Sequence, residues 1–243
     1  MSKGLRYKRI LLKISGEMLQ GDFGFGLDAH FIADLARDIK ALVQAGVEVA
    51  LVVGGGNFCR GSALSTTGVH RVTADHIGML ATMMNGLALK DALLSGGQPV
   101  LLLSALEVPG VLDRFDVGRA TLALSTGHVV VLAGGTGNPF FTTDTTASLR
   151  GVELQADVLL KATKVDGVYS DDPVKNKQAK RYDHVTFDEA IARGLGVMDL
   201  SALCMCKDHD LPVVVFDLKS KNVLLRTVKG EATGTLIHSG EKK

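Results

Sequence analysis

No Gly-Lys dipeptide occurs anywhere in the 243 residues. That excludes the P-loop, whose lysine follows a glycine and grips the outer phosphates of a nucleotide. No complete G-x-G-x-x-G leaves a strand either, which disfavours dinucleotide binding through that fingerprint. There are only three cysteines, Cys59, Cys204 and Cys206. An odd, small number argues against a disulfide framework and for reduced thiols, so a cytoplasmic location is expected. Cys204 and Cys206 lack a second Cys or His pair at metal-ligand spacing, and read as helix positions with at least one packed inside. The seven histidines are scattered, and none neighbours a serine or cysteine as a nucleophile's base would. Neither sign of charge prevails: 27 basic and 26 acidic residues leave a net charge of +1. No strong attraction to nucleic acid or to a membrane surface is therefore expected. No apolar run reaches the roughly 18 residues of a membrane span. The basic N-terminal stretch leads into an apolar run broken by Lys13 and Glu17, so no signal peptide is expected.

What the chain has is alternation. Ile10–Ile14, Val47–Val53, Pro99–Leu103, Val129–Leu132, Asp157–Lys161 and Leu211–Phe216 read as short, buried strands, with Thr235–Ile237 as a last short one. Between them, Phe31, Ile32, Leu35, Ile39, Leu42 and Val43 form a helical face that opens at Asp28 and ends at Gly46. Residues 69–95 read as a long helix whose Met79, Met83 and Met84 suit either core or subunit interface. Further helices are expected at Val117–Leu124, Thr145–Leu154, Phe187–Arg193, Asp199–Asp208 and Asn222–Thr227. The polar, basic stretch Val174–Tyr182 reads as a surface loop able to close over a ligand. No composition break, repeat or linker divides the chain. The order of elements predicts an α/β fold: a three-layer αβα sandwich around a mostly parallel sheet, as one domain spanning residues 1–243.

The glycine-rich strand exits carry the chemistry. Thr136-Gly-Asn-Pro-Phe-Phe-Thr-Thr-Asp144 follows the Val129–Leu132 strand and feeds a helix, which is where open α/β sheets bind ligands. Its glycines, its hydroxyls and the free N–H groups of the helix start suit an anion. Asp144 would repel that anion unless a cation lay between them, so it suggests Mg²⁺ or a lysine; alternatively Thr143 or Asp144 merely caps the helix. Lys13 ends a buried strand and is followed by Ser15-Gly16; it either meets a phosphate or snorkels to water. Gly54-Gly55-Gly56-Asn57 leaves the next strand, with Arg60 as a candidate phosphate fork. Asp75 would either hold ribose hydroxyls or serve as an ordinary first-turn acid.

Without a catalytic histidine, phosphoryl transfer is the reaction these residues suit. Its loose transition state asks mainly for positioning and charge stabilisation. An acceptor that is already anionic, such as a nucleoside monophosphate or a carboxylate, needs no general base.

Several segments together resemble the bacterial UMP kinases, a family of the amino-acid kinase superfamily, over essentially the whole chain. They are Lys-Ile-Ser-Gly-Glu at 13–17, Gly-Gly-Gly-Asn-Phe-Cys-Arg-Gly at 54–61, Asp-His-Ile-Gly-Met-Leu-Ala-Thr from Asp75 and Gly-Thr-Gly-Asn-Pro-Phe-Phe-Thr-Thr-Asp at 135–144. Lys-Ala-Thr-Lys-Val-Asp-Gly-Val-Tyr at 161–169, Val-Met-Asp at 197–199 and Gly-Thr-Leu-Ile at 234–237 complete the set. The resemblance implies transfer of the ATP γ-phosphoryl group to UMP with Mg²⁺, in pyrimidine nucleotide biosynthesis. It implies that Lys13, Ile14, Ser15, Gly16 and Gly56 hold the ATP phosphates, with Lys13 and Arg60 facing the moving group. Thr163, Tyr169 and Asp172 would line the adenine and ribose pocket. Gly55, Asp75, Thr136, Gly137, Asn138, Pro139, Phe140, Phe141, Thr142 and Thr143 would bind UMP. Asp144 would organise Mg²⁺, held mostly through phosphates, and the catalytic lysine, with Asp199 assisting. The UMP-binding part would span about residues 1–150 and the ATP-binding part about 151–243. A homohexamer, activated by GTP and inhibited by UTP, is implied too, with Gly21, Asp22, Phe23, Gly24, Phe25 and Gly26 matching the region tied to GTP. No membrane or nucleic-acid partner is implied. The chain departs from the family at Cys59, where a larger apolar residue is common, and follows it loosely from Leu94 to Val117.

Three rivals stand beside this reading. One is a sister kinase acting on a carboxylate or carbamate, against which Phe140-Phe141 and Asp75 argue. Another is a nucleotide-binding regulator without turnover, which would be expected to have lost Lys13 or Asp144. The third, a dehydrogenase, lacks its fingerprint.

Overall fold

A computed structural model describes residues 4–59, 68–171, 175–220 and 222–240. Expectations that fall on Arg60 and Asp172 lie outside those residues.

Nine strands form one sheet. They are β1 (Arg9–Ile14), β2 (Glu48–Val53), β3 (Val100–Ser104), β4 (Asp113–Arg114), β5 (Val129–Ala133), β6 (Val158–Thr163), β9 (His184–Thr186), β10 (Val213–Asp217) and β11 (Gly234–His238). Their order is β4-β3-β5-β2-β1-β6-β10-β11-β9. Every pairing is parallel except β10 with β11. A separate antiparallel pair joins β7 (Val168–Tyr169) to β8 (Arg181–Tyr182). The stretch expected as a loop up to Tyr182 therefore ends in a strand. Two-residue strands carry too little periodicity to be read from sequence, and β4 and β9 escaped for the same reason.

The central strands are apolar on both faces because both are covered. Ile10, Leu12 and Ile14 of β1 join Val49, Leu51 and Val53 of β2 beneath α2 (Ala29–Gln44), α3 (Arg71–Ser95) and α8 (Val223–Val228). Leu11, Ala50, Val52 and Leu159 face the other layer: α4 (Val117–Ser125), α5 (Thr143–Glu153), α6 (Phe187–Ala192) and α7 (Leu200–Asp208). A single turn, α1 (Gly16–Leu19), follows β1. The result is the expected αβα sandwich.

The helix starts follow from their caps. Asp28 accepts from the His30 and Phe31 N–H groups to open α2. Thr186 and Glu189 form a reciprocal capping box on α6. Of the described helices only α3 is long and apolar enough to cross a membrane by length and composition. Here its inner face is buried, with Met79, Met83, Leu89 and Leu93 in the core. Met84 lies on the outer face, 46% exposed, so the methionines expected to act as one stripe divide between core and surface.

Candidate active site

β1 and β6 are neighbours at the middle of the sheet, and there the direction of winding changes. The chain leaves β1 towards β2 on one side, while β6 on the other side leads to β10. The crevice outside the carboxyl ends of strands at such a point is the preferred ligand site of open α/β sheets.

Lys13 and Lys161 are register partners there, one on each strand. Each follows apolar residues, Ile10-Leu11-Leu12 and Val158-Leu159-Leu160, and each points to the α5 side of the sheet, as do Leu11 and Leu159. Two ammonium groups in so buried a place need a partner. Asp144, in the first turn of α5, is that partner. Its Oδ1 lies 2.8 Å from Lys13 Nζ, and its Oδ2 accepts a hydrogen bond from Lys161 Nζ at 2.7 Å. Lys161 also donates to the Val197 carbonyl. Burial alone would raise the Asp144 carboxyl pKa, but the two ammonium groups outweigh burial and hold it below the usual carboxylate range. Burial drives the Lys161 pKa below its ordinary value; Asp144 opposes the shift and the Lys13 charge adds to it. Two cations share one anion, so the cluster carries an excess positive charge at the strand ends.

The helix that delivers Asp144 is itself held. Thr142 caps α5 by accepting from the Asp144 and Thr145 N–H groups at 3.0 and 3.4 Å. The cap is thus Thr142, one residue before the two candidates read from sequence. The Thr142 hydroxyl donates to Asp199, and Thr145 Oγ1 donates to the same carboxylate at 2.8 Å. Asp199 in turn caps α7 through the Ala202 N–H. Asp199 therefore orients the start of α5, and its charge favours the protonated form of Lys161. Upstream, Gly134 donates its N–H to Thr82 of α3 at 2.8 Å. Its φ is +77°, and a Cβ there would fall 2.5 Å from Ser104 Oγ, so only glycine fits.

Two cavities flank the cluster. The first, about 440 Å³, is lined by Ser15, Gly16, Gly54–Gly56, Asp75, Thr136 and Phe141–Thr143 among others. The second, about 530 Å³, is lined by Lys161, Thr163, Val165, Tyr169, Gly194–Val197 and Val215 among others. The first is rich in glycine backbone and hydroxyls; the second sets Val165, Val168, Leu195, Val197 and Val215 beside Thr163 and Tyr169.

The amino acid kinase family model matches residues 8–217. The chain belongs to the amino acid kinase family. It is 53% identical to the uridylate kinase of Pseudomonas putida, over 97% of this chain and 96% of that one. It is 55% identical to the uridylate kinase of Legionella pneumophila strain Paris, over 96% and 94%. Among solved structures, the UMP kinase of Bacillus anthracis superposes with a TM-score of 0.93 at 36% identity, covering 97% of each chain.

In this amino acid kinase the expected site residues fall into three groups. Ser15, Gly16, Gly55, Gly56, Asp75, Thr136, Phe141, Thr142 and Thr143 line the first cavity, so residues expected to hold ATP phosphates and residues expected to hold UMP open onto one space. Thr163 and Tyr169 line the second, where the Tyr169 hydroxyl donates to Asp166 at 2.7 Å. Gly137, Asn138, Pro139 and Phe140 line neither. Gly137 faces Ala105 and Leu106, while the exposed Phe140 ring lies 5.6 Å from the Arg71 guanidinium. Ile14 is wholly buried and offers the site only its backbone. Asp75 is bound by Arg71 and accepts from the Phe140 N–H at 2.8 Å, which pins the 136–141 loop to α3. In the Gly21–Gly26 loop Phe23 and Phe25 are exposed, and Phe25 meets Phe58 edge-on at 5.8 Å.

Lys161, the second lysine on Asp144, carries no role of its own in the sequence-based expectations, which include it only as the end of a strand and the start of the 161–169 segment. Its signal was there: Leu-Leu-Lys occurs at 11–13 and again at 159–161, both at strand ends.

Asp144 Oδ1 is buried and accepts no well-directed hydrogen bond, its charge being met by the Lys13 ammonium. Among the described residues no group of three or more His, Cys, Asp or Glu could hold a metal. One buried carboxylate oxygen without a well-directed hydrogen-bond donor fits a magnesium ion ligated chiefly by substrate phosphates, and does not fit an all-protein cage.

Proposed function

We propose that this amino acid kinase transfers the γ-phosphoryl group of ATP to UMP, giving UDP and ADP for pyrimidine nucleotide synthesis. The observation that carries the reading is the Lys13–Asp144–Lys161 cluster standing between two cavities, one suited to phosphates and one to a nucleoside. The names of relatives at 53% and 55% identity support the choice of acceptor. The first cavity draws on residues 15–143 and the second on 161–215, which agrees with a UMP-binding part at about 1–150 and an ATP-binding part at about 151–243.

In this reading adenosine occupies the cavity of Thr163 and Tyr169, and its phosphates run past Lys161 and Lys13 to Ser15, Gly16 and Gly56. UMP enters the other cavity, with its phosphate against Gly55, Thr142 and Thr143. Charge builds on the transferred group's oxygens as it moves, and Lys13 with Arg60 stabilises it. Asp144 fixes both lysines and would offer an oxygen to magnesium, which when bound would neutralise phosphate charge. The UMP phosphate is already anionic and attacks without a base.

Self-association belongs to the same reading. Ile77, Leu80, Met84, Leu87 and Leu94 are exposed along the outer face of α3 at intervals of three, four and seven residues, an apolar stripe interrupted by exposed Asp91 and suited to a second copy of this chain. The homohexamer, GTP activation through residues 21–26 and UTP inhibition are carried as further parts of the proposal.

The test is ADP release from Mg-ATP with UMP, CMP, AMP, glutamate or carbamate offered singly, with and without GTP. Turnover confined to UMP is expected. Turnover confined to glutamate or carbamate moves the function to a sister kinase, and nucleotide binding without turnover makes the chain a regulator.

A further inference from the structure

Two buried carboxamides beneath the phosphate loops have no role in the chemistry above. Asn57 is 2% exposed and Asn85 is fully buried. They face each other as a reciprocal amide pair: Asn57 Nδ2 donates to Asn85 Oδ1 at 2.9 Å, and Asn85 Nδ2 donates to Asn57 Oδ1 at 2.7 Å. Each amide spends its second N–H on a backbone carbonyl. Asn85 reaches Gly54 O at 2.7 Å and Asn57 reaches Gly26 O at 2.8 Å. All four N–H groups are used, and turning either amide over would set oxygen against oxygen, so the arrangement has one solution.

The pair stands where three functional segments meet. Gly54 opens the loop whose Gly55 and Gly56 line the first cavity. Gly16, of the Ser15-Gly16 loop, lies against it so closely that a Cβ would fall 2.7 Å from Asn57 Oδ1 and 2.6 Å from Gly54 O. Gly26 closes the 21–26 loop, and its N–H returns a bond to Asn57 O at 3.0 Å, making a two-bond clasp. Asn85 also sits one turn beyond Thr82, which holds Gly134. The inner face of α3 thereby grips both glycine loops through successive polar side chains, while its outer face carries the apolar stripe.

We propose that Asn57 and Asn85 act as one positioning pair: they set the spacing between the donor-phosphate and acceptor-phosphate loops and tie that spacing to the 21–26 loop and to α3. The inference rests on the kinase reading. Neither asparagine lines either cavity, and the adenosine cavity lies away from both loops, so the loss should fall on the acceptor and on phosphate alignment more than on the grip on adenosine. A partly satisfied buried network is worse than a complete one, so a single change should release both loops.

The experiment compares steady-state kinetics and thermal melting of the full chain with those of Asn85→Asp, Asn85→Ser, Asn57→Ser and the double serine variant. Asn85→Asp keeps the size and an acceptor but loses both donated bonds; Asn85→Ser avoids introducing a buried charge. Gln98→Leu is the control: Gln98 is an equally buried carboxamide, bonded to the Pro99 and Gly127 carbonyls at 3.0 and 2.9 Å, away from both cavities. Per folded molecule, the Asn85 variants should raise KM for UMP and lower kcat by about tenfold or more each, with KM for ATP, whose adenosine is held in the other cavity, rising by a smaller factor. The double serine variant should lose little beyond either single one. Gln98→Leu should lower the melting temperature with unchanged kinetic constants. Unchanged constants in both Asn85 variants, an additive double variant, or the same kinetic loss in Gln98→Leu would overturn the pair. Absence of UMP-dependent turnover in the unsubstituted protein refutes the kinase reading and this inference with it.

Discussion

Replacing Asp144 with asparagine tests the cluster most directly, because it removes a charge and almost no volume. The parent buries two ammonium groups around one carboxylate, with side-chain exposures of 10% and 13% for Lys13 and Lys161 and 15% for Asp144. Solvent therefore screens the cluster little. Removing one partner from a buried ion pair costs about 3–5 kcal/mol, since the remaining charge stays desolvated. Here two remain, and they repel each other. The molecule's cheapest relief is to deprotonate Lys161, whose pKa burial already depresses. The signs follow from linkage. In the variant the unfolded state holds a proton on Lys161 that the folded state has released, so stability rises with pH from the folded-state pKa up to the unfolded value of about 10.4, by up to about 1.4 kcal/mol per pH unit. The parent rises less, because its Asp144 opposes the shift. On the acid side Asp144 has a lowered folded-state pKa, so its contribution is present above about pH 3.9 and disappears as pH falls through the folded value. Urea unfolding of both proteins at about pH 7 and about pH 9.5 should show a deficit of about 3–5 kcal/mol at neutrality that narrows at the higher pH. The kcat for phosphoryl transfer should fall by about 10²-fold or more at neutrality, Lys13 having lost its fixed place. An equally stable variant with no change in pH dependence, or one with parental kcat, would refute this account of the cluster.

Three further outcomes are expected. Thr142→Val removes the α5 cap and the link to Asp199; a loss of about 1 kcal/mol in urea unfolding should accompany a larger fall in kcat/KM for UMP than in stability. Cys206 is buried and donates to Ser148 Oγ, and burial pushes its thiol pKa up to about 11. Iodoacetamide near neutral pH should therefore label it only after unfolding, whereas Cys59 and Cys204, both partly exposed, should react in the native protein. Leu80→Glu with Met84→Glu charges the centre of the apolar stripe on α3, and sedimentation velocity should show a smaller assembly than the parent forms.

The fold was legible because its strands are short, apolar and regularly spaced between amphipathic helices. Each central strand is buried on both faces, and that leaves an uninterrupted apolar run in the sequence. The edges were not legible. Strands such as Asp113–Arg114 exist because a neighbouring strand offers hydrogen bonds, and two residues hold no period of their own. The first cavity was largely readable, since glycines and threonines at strand exits have few other uses. The partner of Asp144 was only half readable. Lys13 was conspicuous because a serine and a glycine follow it, while Lys161 is followed by Ala162-Thr163, which mark no phosphate contact. Only the β1–β6 register puts the two side by side. Asn57 and Asn85 were illegible in the same way, since nothing local marks an asparagine in a helix as the partner of one in a loop 28 residues earlier.

That difference has a physical root. Groups that meet a ligand directly announce themselves by local composition, because a phosphate asks for glycines, hydroxyls and cations wherever it binds. Groups that hold those loops in place meet only other parts of the protein, and their identity depends on the pairing. Asp199 shows the consequence. Its motif position suggested assistance to Asp144; its bonds run to Thr142, Thr145 and Ala202, so it holds the helix that carries Asp144, and its charge also bears on Lys161. Thr82, Asn85 and Asn57 stand in the same relation to the glycine loops. Phosphoryl transfer without a base relies on alignment more than on reactive side chains. In such a site the residues that hold the loops should govern the rate as the lysines do under the proposed mechanism, though Asn57, Asn85 and Asp199 line neither cavity.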